Sequence, residues 1–144
     1  MSKYRELVDD TEKAANLLNN LKARITKDFV LKLSLALDCE KDKIEIEFGR
    51  LKYSDSNKIL TWDFTLAISI MTSGGSVRAP LDFSFSFIKD TEDVSNISIT
   101  YYKDKTANPP KGEIYNLSNP IDGLADLMFQ DIKKKIKQCR LLPM

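Results

Sequence analysis

The residues best suited to acid–base chemistry are two aspartates on neighbouring stretches, Asp63 and Asp82. Paired carboxylates hydrolyse glycosidic bonds when their carboxyl groups lie about 5–9.5 Å apart. If Gly74 and Gly75 form a two-residue hairpin turn, the two aspartates share one face of adjacent strands but lie about four residues out of step, roughly 13 Å along the strand. The spacing therefore predicts no catalytic dyad.

Other catalytic and ligand-binding patterns are weak. Histidine is absent, which removes the commonest general base, the Ser-His and Cys-His nucleophile pairs and most zinc and non-haem iron sites. The Ser-Gly-Gly-Ser segment at residues 73–76 resembles a phosphate-binding loop only superficially, because no helix and no suitably placed lysine follow it. Cys39 and Cys139 have no metal-ligand spacing and are expected to be reduced structural thiols. We therefore expect no enzyme, no metal and no cofactor.

A basic run close to the end of the chain, residues 133–137 with Arg140, could contact phosphate groups. The run also ends a predicted helix, where cations are expected, and no aromatic residues interleave with it. The net charge of +1 gives no reason to expect a polyanion or a membrane surface as partner. No apolar run approaches the ~20 residues of a membrane span, and no secretion signal is apparent. We expect a cytoplasmic protein, with a nucleic-acid-associated role as a minor alternative.

The elements that position these residues are organised around a predicted strand at residues 59–71. Large apolar residues alternate there with small polar ones, which is typical of a strand with one buried face. The Gly-Gly turn that follows predicts a hairpin in which Phe64 faces Phe85. A further strand is predicted at residues 97–102, with Ile99 opposite Phe85.

Residues 29–38 also alternate between apolar and more polar positions, although their leucines and alanine favour a helix. If a short turn follows, each alternate leucine faces an apolar residue of the next stretch, for example Leu35 opposite Ile46. That parity predicts a hairpin of two strands, residues 29–38 and 43–53. The alternation in the second strand breaks at Gly49, which predicts a β-bulge.

Both ends of the chain are predicted to be helical. Apolar residues recur at three- and four-residue spacing over residues 2–26, with Ser2 as the N-cap. The last helix is predicted to begin at Asn119 and Pro120, as N-cap and first helical residue. The long connection before it, residues 104–118, contains no predicted element. Such connections are usually functional or held by their own side chains, and we expect Ile114, Tyr115 and Leu117 to anchor this one.

The predicted order is helix, five antiparallel strands, helix. It indicates an α+β fold, a two-layer sandwich in which a five-stranded antiparallel meander carries the N- and C-terminal helices on one face. Five strands span roughly 24 Å at ~4.8 Å spacing, and two helices side by side cover about 20 Å, so the two layers match in width. We expect residues 1–144 to form a single domain.

The sheet face opposite the helices is rich in serine and threonine, whereas a sheet face that meets only water usually carries more Lys, Glu and Arg. It is either a solvated face or an interface with another protein or a second copy of the chain. The candidate interface residues are Thr61, Asp63, Thr65, Ser69, Asp82, Ser84, Ser86, Thr100 and Tyr102. The same face is expected to carry Lys32, Ser34, Glu45, Glu47 and Ser98. We therefore expect a non-enzymatic protein-interaction module of the adaptor, inhibitor, immunity or chaperone-like type.

The main alternative is a carrier or sensor of a small apolar ligand held between the sheet and the helices. The aromatic residues that would line its pocket are Trp62, Phe64, Phe83, Phe85 and Phe87. A closely packed core explains the same aromatic residues more simply.

Overall fold

The computed structural model describes residues 2–54, 56, 59–88, 97–104 and 111–138. The elements in chain order are α1 (Lys3–Leu37), a short 3-10 helix (Lys41–Lys43), β1 (Ile44–Ser54), β2 (Ile59–Thr72), β3 (Gly75–Ile88), β4 (Ser98–Asp104), β5 (Lys111–Asn116) and α2 (Asp122–Lys137). The five strands pair antiparallel in sequence order, β1-β2-β3-β4-β5. The predicted α+β fold, a five-stranded meander with terminal helices, is confirmed.

One face of the sheet and both helices enclose the core. Phe29 of α1 contacts the rings of Phe64 and Phe83 edge-on, with centroid separations of 6.0 and 5.7 Å. Leu124 and Met128 of α2 are fully buried in the same cluster. Burial of each such side chain contributes about 1.5–3 kcal/mol, and each aromatic pair adds about 0.5–1.5 kcal/mol. The core therefore joins the first and last elements of the chain to the middle of the sheet.

The strand predicted at residues 29–38 is wrong, because α1 runs as a helix from Lys3 to Leu37. The buried apolar side chains of α1 recur every four residues, at Leu21, Ile25, Phe29 and Leu33. A spacing of four is even, so a helical stripe of this kind falls on the same alternate positions as the buried face of a strand. Leu31 and Leu35, which completed the apparent alternation, are 38% and 73% exposed.

Both ends of α1 are capped. Ser2 is the N-cap, as predicted, and its hydroxyl oxygen accepts a hydrogen bond from the Arg5 backbone N–H at 3.2 Å. The helix stops at Asp38, which adopts the left-handed conformation with φ of 53° and donates its N–H to the Ser34 carbonyl. Aspartate tolerates this conformation better than most residues, so the end of α1 is fixed locally.

The β2–β3 hairpin forms as predicted but two residues out of the predicted register. Phe64 faces Phe83 instead of Phe85, and the turn closes at the pair Thr72–Gly75. The Thr72 hydroxyl donates to the Gly75 carbonyl at 2.8 Å, and Gly75 has φ of +134°, a conformation that suits glycine. Because a shift of two residues preserves the face of every side chain, the predicted core residues still point into the core.

Two other features of the sheet are as predicted. Phe85 pairs with Ile99 across β3 and β4. The pairing of β1 with β2 shifts between Phe48 and Leu51, which confirms the bulge at Gly49. The Trp62 indole N–H donates to the Gly49 carbonyl at 3.1 Å, so the bulged backbone has a side-chain partner.

The connection predicted at residues 104–118 contains an unpredicted strand, β5. Leu117 is 1% exposed and Tyr115 is half-buried, so two of the three expected anchors are in place, whereas Ile114 is 73% exposed. The correct number of strands thus arises from two errors that cancel: one strand was assigned within α1, and β5 was missed.

The last helix begins two residues later than the predicted first helical position, because Asn119 donates its N–H to the Asn116 carbonyl in a preceding turn. Asn116 also accepts hydrogen bonds from the backbone and hydroxyl of Ser118 through its side-chain oxygen. The buried side of the helix and its approach consists of Ile121, Leu124, Ala125, Met128 and Ile132, whereas Ile136, which continues the same spacing, is 44% exposed.

Candidate interaction surface

The sheet face opposite the helices, hereafter the open face, carries all nine candidate interface residues. On β2 and β3 the pairs are Thr61–Ser86, Asp63–Ser84, Thr65–Asp82 and Ser69–Arg78. Thr100 and Tyr102 of β4 extend two of these rows beside Ser84 and Asp82. The predicted set is therefore contiguous, and the two-residue shift in register leaves its membership unchanged.

Two residues expected on this face, Lys32 and Ser34, lie instead on α1, because residues 29–38 are helical. The Lys32 ammonium group donates to the backbone carbonyl of Leu117, and Ser34 is buried against the core side. They contribute nothing to the open face.

The centre of the open face is made of short side chains held by hydrogen bonds. The Ser84 and Tyr102 hydroxyl oxygens are 2.9 Å apart, and those of Thr61 and Ser86 are 3.2 Å apart. Ser84 is only 1% exposed, although no helix packs on this side, because the Tyr102 side chain leans over it. Side chains that are short and already ordered lose little entropy when a partner binds.

Gly112 of β5 lacks the Cβ atom that would clash with the side chains of Thr100 and Tyr102. A Cβ atom on Gly112 would lie 2.9 Å from Thr100 Cγ2 and 3.2 Å from Tyr102 Cδ1. The neighbouring open-face residue of β5, Ile114, pairs with Thr100 and is 73% exposed. Ile114 is a residue of this surface that sequence reasoning missed, because β5 has no clear alternation: Ile114 and Tyr115 are adjacent apolar residues that lie on opposite faces.

Charged side chains frame the face on the β1 side. Lys52 Nζ lies 3.5 Å from Asp63 Oδ2, and Arg78 Nη2 lies 2.9 Å from Glu45 Oε2. The second pair joins β3 to β1 across β2, at the level of Ala67, which is 4% exposed. The Arg78–Glu45 pair, with both side chains 62% exposed, contributes about 0–1 kcal/mol to stability and can exchange partners at little cost, whereas the Asp63 side chain of the other pair is only 21% exposed.

A shallow depression of about 320 Å³ lies within this charged rim. Its lining residues are Glu45, Ile46, Glu47, Thr65, Ala67 and Arg78. A partner could place one protruding side chain here while its flat surface covers the serines and threonines.

The two aspartates considered for catalysis are closer than predicted. In the observed register Asp63 faces Ser84 and Asp82 faces Thr65, so the carboxylates are two residues out of step, roughly 7 Å along the strand. The distance argument against a dyad is therefore wrong. Asp63 nevertheless has a cationic neighbour, Lys52, as its observed partner. The absence of enzymatic activity stays a prediction.

The aromatic residues proposed to line an apolar pocket contact one another. Phe64 and Phe83 stack with centroids 5.2 Å apart, and Phe85 lies 5.7 Å from Phe64, 5.8 Å from Trp62 and 5.9 Å from Phe87. Phe83 and Phe85 are 0% exposed. In this arrangement the rings occupy the space between the sheet and the helices as packed core residues.

A polar cavity of about 310 Å³ lies where α2 meets β3 and β4. Its lining residues are Leu81, Asp82, Tyr101, Tyr102, Lys103, Asp131, Lys134, Lys135 and Gln138. Burial raises the pKa of the Tyr101 hydroxyl above its ordinary value of 10.0, and the 2.6 Å hydrogen bond to Asp131 raises it further. Lys135 Nζ donates to the Pro80 carbonyl at 3.2 Å. Sequence reasoning missed this cluster because its members are far apart in the chain.

The predicted basic run does not act as one patch in the described part of the chain. Lys133 lies over the Phe129 ring at 5.2 Å from its centroid, whereas Lys135 contacts β3. Cys139 and Arg140 lie outside the described residues. Within the described ranges, no helix is long and apolar enough to cross a membrane.

Among the described side chains, no group of three or more His, Cys, Asp or Glu residues is arranged to hold a metal ion. Comparison of the chain with protein-family models, with curated proteins and with solved structures finds no match. The candidate function therefore follows from the geometry of the open face.

Proposed function

We propose that the chain is a non-enzymatic, cytoplasmic protein-interaction module that binds another protein through the open face. One observation carries the proposal: a broad sheet surface of short, hydrogen-bonded, half-buried side chains lies on the side that neither helix covers. Five strands and about eight residues along β2 give an area of roughly 24 by 26 Å, or about 600 Å². A standard interface buries about 800 Å² per partner, so the open face can supply most of one.

The charges of the open face indicate the kind of surface that would fit. Four carboxylates, on Glu45, Glu47, Asp63 and Asp82, stand against three cations, on Arg50, Lys52 and Arg78, so the face carries a small net negative charge. Asp63 and Asp82 lie among the serines and threonines of β2 and β3, whereas the two glutamates lie on β1, so a complementary partner is flat and polar and carries basic groups opposite these carboxylates.

The proposal is tested by photo-crosslinking in cells of the source organism. A benzoylphenylalanine residue is placed at Thr100, in the middle of the open face, or at Gln130, which is exposed on α2. We expect a discrete adduct with one protein from position 100 and no adduct from position 130. Equal labelling from both positions, or no adduct from either, contradicts the proposal.

A substitution on the same face gives the second measurement. Thr65→Arg places a long charged side chain where a flat partner must approach, so we expect binding of the crosslinked partner to weaken at least about 30-fold. Gln130→Arg is the matched control and leaves binding unchanged. Circular dichroism melting of both variants verifies that the fold is intact, and full binding by a folded Thr65→Arg variant disproves the role of the face.

A further inference from the structure

β1 is an edge strand whose outer side has no partner among the described strands. It pairs with β2 along Ile44–Ser54 and lies at one end of the strand order. An edge of this length offers a row of backbone N–H and C=O groups to a further strand.

The bulge in β1 changes the side-chain phase halfway along the strand. Before it, even-numbered residues face the core, since Phe48 pairs with Phe64. After it, odd-numbered residues face the core, since Leu51 pairs with Trp62. Along a strand, the direction of the backbone N–H and C=O groups alternates from residue to residue together with the side-chain face. The extra residue therefore also changes which residues, odd- or even-numbered, direct these groups towards the outer edge of β1.

This phase change makes β1 complementary to a second copy of itself. Consider two β1 strands that run antiparallel about a two-fold axis between residues 48 and 49. Residue 46 then pairs with residue 51 of the second copy and residue 45 pairs with residue 52, so every pair joins an odd-numbered to an even-numbered residue. One partner of each flanking pair then lies before the bulge and the other after it. The two side chains of a pair therefore lie on the same face of the sheet, and the backbone groups of both residues have the same orientation relative to the partner strand. Without the bulge, this register would put opposite faces side by side.

The side chains in that register also match in chemistry. On the open face, Glu45 lies opposite Lys52 of the second copy, and Lys52 lies opposite Glu45 of the second copy. On the core side, Ile46 meets the second copy's Leu51. The strand is therefore self-complementary in charge on one face and in apolar character on the other.

We propose that two copies of the chain associate edge to edge through β1 and form one continuous ten-stranded sheet. The exposed core-side edge supports this: Tyr53 is 45% exposed, and an open groove of about 720 Å³ separates α1 from β1 beside Phe48. The second copy covers both. Among the described residues, Glu45 pairs with the exposed Arg78, and Lys52, itself 61% exposed, lies 3.5 Å from Asp63, so the charged groups at positions 45 and 52 can also face the second copy.

Sedimentation velocity of the full chain over a range of concentrations tests the proposal. We expect a reversible dimer. Glu45→Lys makes both pairs between position 45 of one copy and position 52 of the other repulsive, because the pair occurs twice about the two-fold axis. We expect the dissociation constant to rise roughly 30-fold. Lys52→Glu has the same effect. The double variant Glu45→Lys/Lys52→Glu exchanges the charges and restores the dimer.

The double variant separates loss of the dimer from damage within one chain. It leaves Lys at position 45 beside Arg78 and Glu at position 52 beside Asp63, so both internal pairs remain broken while the pairs between copies return. Asp126→Lys, an exposed reversal on α2, is the matched control and leaves the dissociation constant unchanged. A chain that stays monomeric up to about 1 mM overturns the proposal. So does a dimer that is indifferent to Glu45→Lys, or one that the double variant fails to restore.

This dimer is independent of the proposed partner-binding role of the open face. Thr100→Arg lies on β4, three strands away from β1, and should leave the dissociation constant of the dimer unchanged while it weakens partner binding. The two proposals can therefore fail separately.

Discussion

Tyr101 brings a hydroxyl group into an otherwise apolar core. Its ring packs on Phe83 with centroids 5.0 Å apart, and the residue is 2% exposed. The hydroxyl donates to Asp131 Oδ2 of α2 at 2.6 Å. A buried hydroxyl needs such a partner, and a hydrogen bond to a carboxylate contributes about 1.5–3 kcal/mol. This single contact therefore ties the last helix to β4.

Substitution Tyr101→Phe is expected to lower the free energy of unfolding by about 1–2 kcal/mol at neutral pH, because Asp131 is only partly buried and water replaces some of the lost bond. It should also change the pH dependence. The pKa of Tyr101 in the folded chain is raised above its value near 10 in the unfolded chain. The contribution of this group to the free energy of unfolding is therefore fully present below pH 10 and falls as the pH rises beyond 10.

Urea unfolding between pH 8.5 and 11 checks both parts of this prediction. The wild-type chain should lose up to about 1.4 kcal/mol more per pH unit above pH 10 than the Tyr101→Phe variant. Tyr4→Phe, which changes a 77% exposed residue, is the control and should follow the wild type. Tyr115 contributes in the same direction, because burial and its hydrogen bond to Glu113 raise its pKa to about 12. Parallel curves for wild type and Tyr101→Phe would contradict the assignment.

Among the helices and strands, α1 determines which of the residues 29–38 enter the core. The helix places Phe29 edge-on against the rings of Phe64 and Phe83, while Leu35, six residues later, is 73% exposed. A strand at residues 29–38 would have put both side chains on the same face. The two residues therefore distinguish the observed helix from the alternation that the sequence suggests.

We predict that Phe29→Ala lowers the free energy of unfolding by about 3–5 kcal/mol, because it leaves a cavity among buried rings. Leu35→Ala removes a similar apolar side chain from a site that is 73% exposed and should cost less than about 0.5 kcal/mol. Urea unfolding of the two variants beside the wild type measures the difference. Comparable losses in both variants would mean that residues 29–38 do not form the helix described.

Local patterns predicted the elements whose signals are local. The hairpin of β2 and β3 was recognisable because a dozen alternating residues flank a glycine turn, and the bulge was recognisable because Gly49 breaks the phase. The register of the hairpin was missed by two residues, because the hydrogen bond from Thr72 to Gly75 closes the turn earlier than the two glycines suggest.

Features that depend on contacts between residues far apart in the chain could not be predicted from the sequence. The four-residue stripe of α1 has the parity of a strand, and only packing against Phe64 and Phe83 resolves the ambiguity. β5 is short and contains Gly112, so it depends on pairing with β4 for its identity. The nine candidate residues share one face of the sheet because they come from β2, β3 and β4, whose phase was right, whereas Lys32 and Ser34 were misplaced with the strand predicted at residues 29–38 and Ile114 was missed together with β5.

For the whole molecule, the two proposed surfaces are compatible. A two-fold axis that continues a sheet through its edge strand runs perpendicular to that sheet, so both open faces of the dimer point to the same side. A dimer therefore offers two copies of the partner-binding surface side by side, and a partner with two matching sites would bind with avidity.

The molecule is also longer than a compact chain of its length. The 35 residues of α1 extend over about 52 Å, and of residues 2–16 only Val8 is even partly buried. A compact domain of this size has a diameter of about 40 Å. Small-angle scattering of the monomeric Glu45→Lys variant should give a maximum dimension above about 52 Å.

Deletion of residues 1–14 is the control for that measurement and should shorten the maximum dimension by about 15–20 Å without unfolding the core. An unchanged dimension after the deletion would show that the start of α1 folds back on the body.

The projecting start of α1 has a practical consequence. It lies in the helical layer, on the far side of the sheet from the open face, and Ser2 lies about 28 Å along the helix from Leu21, the first buried residue of α1. A fluorescent protein or biotin acceptor peptide joined there would be held on a stiff arm, and the chain could be immobilised on a sensor chip with its serine- and threonine-rich side turned towards the flowing analyte.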